Sequence, residues 1–278
     1  MRSPTSRRGS SRAARTSGKA KDGPLDTLRF LVTLAILAWL LRALVVAPFS
    51  IPSASMQPAL YIGDYLVVAK WPYGYSRFSF PFGMPSFDGR IFSGVPRRGD
   101  VVVFRHPVAD TDVIKRVIGL PGDTVAMRDG RLILNGRRVA LQPLPRYALP
   151  VSPNSPCRTQ PVAEGGKCPY PAARETLPGG PSYTVFDQVT GGPGDDLPLT
   201  RVPAGHLFMM GDNRDDSLDS RFPVPAGGVG MLPIERLIGR ATLTFWSTDG
   251  SASYFKPWTW FTALRADRIG NSYSEDDR

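Results

Sequence analysis

The chain has 278 residues, with 34 Lys and Arg against 24 Asp and Glu, a net charge of +10 at pH 7. Six of those ten charges fall in the first 29 residues, where eight basic residues meet only Asp22 and Asp26, so the rest is too mildly basic for a nucleic-acid partner. Two cysteines and two histidines exclude a zinc site of the usual ligand spacings.

Residues 1–24 are rich in Ser, Arg, Gly and Lys and almost without large apolar side chains, so they read as a disordered basic cytoplasmic tail. Residues 25–49 read as a transmembrane helix. From Phe30 to Phe49 the sequence is FLVTLAILAWLLRALVVAPF, about 20 residues and about 30 Å of helix, the thickness of a hydrocarbon core. Arg42 lies off centre and can snorkel, and Pro48 comes near the end. Cleavable signal sequences have shorter apolar runs of about 7 to 15 residues, so an uncleaved anchor is expected. The basic residues before the span favour a cytoplasmic N-terminus, which makes this a single-pass protein with everything past Phe49 exported.

Beyond the span, Tyr65–Lys70, Asp100–Phe104, Val113–Ile118, Arg131–Leu134 and Ile238–Trp246 are short β-branched runs bounded by Gly, Pro, Asp and Asn, the pattern of strands. Pro121-Gly122 has the residues of a type II turn, and Asp129-Gly130 and Asn135-Gly136 are hairpin signals. Helical periodicity is nearly absent. The expected fold class is mostly β, with residues 50–140 and 201–262 forming an antiparallel sheet folded over on itself or a partial barrel. Residues 141–200, dense in Pro and Gly, read as a smaller inserted domain of strands and loops, and 263–278 as a C-terminal tail. Cys157 and Cys168 both fall in the insertion, on the oxidising side, where a disulfide is expected. Closing so short a loop contributes roughly 3 kcal/mol in the chain-entropy view. Phe78, Phe80 and Phe82 alternate, so a strand would put all three rings on one face, suited to a core or to the outer leaflet. Tyr254, Phe255, Trp258, Trp260 and Phe261, mixed with Lys256, Arg265 and Arg268, suit a headgroup belt.

Ser55 lies six residues past the span, and a serine becomes a nucleophile only when a base takes its proton. His106 and His206 sit in uninformative surroundings and read as surface or packing residues. Outside the tail the lysines are Lys70, Lys115, Lys167 and Lys256. An ordinary lysine leaves about one amine in 2,500 neutral at pH 7, whereas burial lowers its pKa by several units. Lys115, flanked on its own strand face by Val113 and Val117, is the first candidate base, and Lys70 at the end of another β-branched run is the alternative.

Three boxes, Ser53-Ala-Ser55-Met-Gln-Pro58, Lys115-Arg-Val-Ile-Gly-Leu-Pro-Gly-Asp123 and Met210-Gly-Asp-Asn-Arg-Asp-Asp-Ser-Leu-Asp-Ser-Arg221, resemble in order and spacing those of the type I signal peptidases. The resemblance implies a Ser/Lys serine endopeptidase of the bacterial inner membrane that removes signal peptides from exported preproteins, cleaving after small residues. It implies Ser55 as nucleophile, Lys115 as general base, Ser53 as an oxyanion donor, Ser217 as the hydroxyl orienting the lysine, and Asp219 with Arg221 as a structural ion pair. Its implied partners are preproteins, the lipid bilayer and the export translocon. No cofactor is expected. The acidic box fails as a calcium loop, since counting from Asp212 the third, sixth and twelfth positions are Arg214, Ser217 and Pro223. Ala59 departs from the Thr common in relatives, a packing change. The rival reading is a non-catalytic envelope module whose β domain binds exported partners.

Overall fold

The structure is a computed structural model that describes residues 23–253 and 255–273. Most of the expected N-terminal tail therefore lies outside the described residues. Helix α1 (Pro24–Leu40) continues through a π-helical turn, Leu41–Val45. Together they are the one segment, among the described residues, long and apolar enough to cross a membrane. None of the residues of α1 is buried, and a helix apolar on every side has no solvent-facing stripe to offer water.

The second compact unit begins at Trp39 and is built from antiparallel strands. In chain order they are β1 (Val46–Ser50), β2 (Asp64–Ala69), β3 (Val101–Arg105), β4 (Asp112–Gly119), β5 (Thr124–Arg128), β6 (Arg131–Leu134) and β7 (Arg137–Arg138). There follow β8 (Ala140–Pro150), β9 (Lys167–Thr176), β10 (Ser182–Phe186), β11 (Leu197–Arg201), β12 (His206–Met210), β13 (Leu232–Pro233) and β14 (Leu237–Ser247). A seven-stranded sheet runs β1-β2-β14-β3-β4-β12-β13, a four-stranded sheet β11-β5-β6-β7, and a three-stranded sheet β10-β9-β8. The fold is mostly β, as the sequence leads one to expect. Both hairpin signals behave as read: Asp129 and Gly130, and Asn135 and Gly136, all have positive φ, the requirement of a type I′ turn.

The apolar faces of the strands meet in several packed clusters. One gathers Ile51, Met56 and Leu60 against Leu66, Val101 and Ile114, so the chain around Ser55 is seated directly on the large sheet. Another joins Tyr73, Phe104, Val117 and Met209.

Three segments differ from expectation. Residues 77–83 form two 3-10 turns instead of a strand, because Ser76 and Ser79 close a turn on each other and Pro81 has no amide to offer a ladder. Phe78 consequently lies under Arg77 and Arg236, while Phe80 packs against Tyr75 and Phe87, so the two rings share no strand face. Residues 266–273 are not a loose tail. Arg268 donates to both oxygens of the fully buried Asp64, at 2.6 Å from Nη2, and lies over the Tyr61 ring, while Tyr273 bonds Thr244 through its hydroxyl. Within 141–200, β11 pairs with β5 and returns to the four-stranded sheet, so the separate sheet is formed by β8, β9 and β10 alone. A disulfide joins Cys157 to Cys168, which is a residue of β9 in that sheet.

Candidate active site

Ser55 occupies the middle of one 3-10 turn, Ala54–Met56. The turn is fixed from two directions. Met56 is buried among the apolar residues of the large sheet, and Asn213 holds the backbone, its amide donating to Ser55 O at 3.1 Å and its Nδ2 to Ala54 O at 3.2 Å. Lys115 comes from the middle of β4 and is 4% exposed. Its Nζ donates to Ser55 Oγ at 2.5 Å, a separation that equally serves a neutral amine accepting from the hydroxyl. The Ser53 and Ser55 hydroxyl oxygens are 3.3 Å apart.

The acidic box encloses this pair from the other side. Asp219, fully buried, accepts from Arg221 Nε at 2.9 Å and Nη2 at 3.0 Å, from the Gly211 amide at 3.0 Å and from Ser217 Oγ at 2.8 Å. The Ser217 hydrogen is thus committed to the carboxylate, and its lone pairs are what remain for an amine. Gly211 admits no side chain: a Cβ there would stand 2.3 Å from Ser217 Oγ and 2.4 Å from Ser55 O. The same glycine lets the loop backbone approach the serine turn.

Burial lowers the Lys115 ammonium to about 8, against the pull of the Asp219 and Asp212 carboxylates, with Arg221 helping to depress it. At pH 7 about one such amine in ten is neutral. Burial alone would raise the Asp219 carboxyl, but the Arg221 guanidinium and the donors around it bring it below the usual range. The lysine therefore faces a permanent carboxylate that is already neutralised by its own arginine.

The alternative base is placed differently. Burial lowers Lys70 to about 8 as well, but its Nζ donates to Arg42 O at 2.7 Å and to Ser79 O, two backbone carbonyls, whereas the Lys115 amine meets a serine hydroxyl. His106 Nδ1 accepts the Val108 and Ala109 amides, and His206 Nδ1 meets Ala204 O, so each imidazole serves its own loop. For metals, Asp187, Asp195 and Asp215 bring carboxylate oxygens within 4.8 Å of one another, but Asp195 and Asp215 already accept loop amides.

The description signal peptidase, peptidase S26, fits residues 25–246 of the chain. The chain belongs to that family. A signal peptidase I of Rickettsia felis is 34% identical over 87% of the chain and 90% of its own length, and one of Rickettsia prowazekii is 31% identical over 94% and 97%. A signal peptidase I crystal structure from Enterococcus faecalis V583 is 25% identical, covering 52% of the chain and 95% of its own, with a TM-score of 0.29, too low for a comparison of folds.

Some features of this peptidase S26 site were not read from the sequence. Arg116 and Asp212 form a buried bidentate pair, with Nη2 at 2.6 Å from Oδ2, and the Arg116 guanidinium also covers the Tyr183 ring at 4.0 Å. The available signal was position, since Arg116 follows Lys115 and Asp212 opens the acidic box. Asn213 gave a weaker one, as its role lies in backbone contacts that no side-chain pattern announces.

Proposed function

We propose that this S26 peptidase removes signal peptides from exported preproteins, with Ser55 as nucleophile and Lys115 as general base. The observation that carries it is a desolvated amine, lowered to about 8, lying 2.5 Å from a serine hydroxyl. Neutral Lys115 takes the Ser55 proton as Oγ attacks the scissile carbonyl. The Ser55 amide and Ser53 hydroxyl stabilise the oxyanion, a charge that exists only in the transition state. The resulting ammonium delivers its proton to the leaving amine, breaking the peptide bond. Lys115 then deprotonates the water that attacks the acyl-enzyme and returns that proton to Ser55 Oγ as the ester bond breaks, which leaves the amine neutral for the next cycle.

The substrate has a place to lie. β12 pairs only with the Arg116–Gly119 half of β4, which leaves Asp112–Lys115 with one edge free of a partner strand among the described residues. An extended peptide can add there by backbone hydrogen bonds. Beside this edge a cavity of about 190 Å³, lined by Ile51, Pro52, Ser53, Val113 and Ile114, is smaller than ordinary ligand pockets and suits small side chains just before the cut.

The span crosses the bacterial inner membrane once with its N-terminus in the cytoplasm, so the peptidase meets preproteins at the outer face as the export translocon releases them. Sharing a two-dimensional phase supplies proximity and orientation. Lipid also meets the exposed rings of Trp258, Trp260 and Phe261 and the apolar hollow that Trp260 shares with Tyr65 and Trp246. In a Trp39→Phe protein placed in vesicles with brominated acyl chains, tryptophan quenching is expected to persist and to fall when Trp246, Trp258 and Trp260 become Phe. Quenching that disappears with Trp39 alone would remove lipid from this face.

Processing of a preprotein tests the dyad. Ser55→Ala and Lys115→Ala are each expected to lose about a thousandfold or more of the wild-type rate. Near-wild-type cleavage by either variant ends the assignment, and a greater loss in Lys70→Ala than in Lys115→Ala would make Lys70 the base.

A further inference from the structure

The sheet of β8, β9 and β10 contributes nothing to the dyad, yet it grips the loop that does. Glu175 on β9 is 1% exposed, and its Oε1 accepts both Arg214 Nη2 and Tyr183 Oη at 2.5 Å. Phe186, the last residue of β10, donates its amide to Asp212 O at 2.9 Å and accepts the Arg214 amide at 2.8 Å, so the strand end brackets the loop. The Arg214 Nε donates to Gly211 O at 3.2 Å, and Arg214 O accepts Arg221 Nη2 at 2.5 Å. Arg221 holds Asp219, Asp219 holds Ser217 and the Gly211 amide, and Gly211 borders the Ser55 carbonyl. An unbroken line of contacts thus runs from β9 to the turn carrying the nucleophile.

We infer that Glu175 is a positioning residue for the reaction and that the inserted sheet exists, at least in part, to hold the 211–221 loop through it. The inference rests on the Ser55–Lys115 reading above. A buried ion pair is a poor device for stability alone, because apolar residues of similar volume are often as stable or more so. What Glu175 supplies instead is direction: it fixes the guanidinium whose other nitrogen and whose carbonyl set the loop around Asp219. Neither Glu175 nor Arg214 lines the free edge of β4 or the small cavity beside Ser53. Their loss is therefore expected in turnover and not in substrate affinity.

The test is a triple variant, Glu175→Met with Arg214→Met and Tyr183→Phe, which leaves neither partner of the carboxylate orphaned. Full-length protein in detergent is assayed for kcat and KM on a signal-peptide substrate and for its unfolding midpoint. The expected result is a midpoint no lower than wild type, kcat at least tenfold down and KM within twofold. Glu175→Gln, which keeps the shape but weakens the grip, is expected to give a smaller fall in kcat, and it decides the matter if the triple variant does not fold. Wild-type kcat in either folded variant, or a loss confined to KM, overturns the inference. Ser55→Ala in the same assay separates the two readings: if it still cleaves, the dyad fails, whereas an inert Ser55→Ala beside a fully active triple variant sinks the role of Glu175 alone.

Discussion

Replacing Lys115 with methionine is expected to abolish cleavage and, at pH 7, to stabilise the fold by about 3 kcal/mol. The second effect follows from the first requirement. A base at neutral pH needs a free amine, and the protein obtains one by burying the lysine until its pKa falls from 10.5 to about 8. The sign is fixed by proton counting: between about pH 8 and pH 10.5 the unfolded chain binds the proton that the native state has lost, so stability rises with pH across that window. Below pH 8 the full cost of burying the ammonium is present, and above 10.5 it is gone. Methionine has a similar volume and no charge, so denaturant titrations of the two proteins should diverge at pH 7 and converge near pH 11. Turnover of the wild type should climb as pH rises through about 8. A Lys115→Met protein less stable than wild type at pH 7 would mean that the amine is not desolvated in the native state.

Asp212→Asn should destabilise the protein by roughly 3 to 5 kcal/mol, a loss large enough to threaten folding at 37 °C. The pair it breaks is buried on both sides, with Arg116 at 2% and Asp212 at 1% exposure; the amide keeps one acceptor oxygen but turns an NH2 donor toward the guanidinium and removes the countercharge, leaving Gly99 O and the Tyr183 ring as its other partners. Replacing both partners, Arg116→Met with Asp212→Leu, should restore most of the lost stability, since no uncompensated charge then remains. Urea unfolding of the single and double variants measures the difference. If Asp212→Asn unfolds at the wild-type midpoint, the pair contributes nothing to the fold and its geometry is incidental.

Much of this architecture was legible because the informative residues act locally. β-Branched runs at 65–70, 100–104 and 113–118 form strands with little help from elsewhere, and Asp129-Gly130 and Asn135-Gly136 need only their own backbone preferences. That Ser55 and Lys115 meet was legible through the company of three boxes. What stayed hidden depends on partners distant in the chain. β8 is mostly exposed along its length and interrupted by Pro143 and Pro145, so it has no apolar alternation to read. Arg268 looks like a surface cation until Asp64, 204 residues earlier, is known to be buried beneath it. The Phe78–Phe82 alternation misled because proline and serine chemistry at 76–81 outweighs a period of two. Glu175 carried no signal, as its importance comes wholly from the loop it meets.

The order in which the site's parts occur along the chain has a consequence for biogenesis. Lys115 lies 60 residues after Ser55, and the asparagine that braces the serine turn lies 159 residues after Ala54. A nascent polypeptide that has emerged only as far as β11 already contains Ser55 and Lys115, but none of the 211–221 loop that packs around them. On the Ser55–Lys115 reading the site stays unassembled until that loop has been made, and the large sheet itself waits longer, for β14, which lies between β2 and β3.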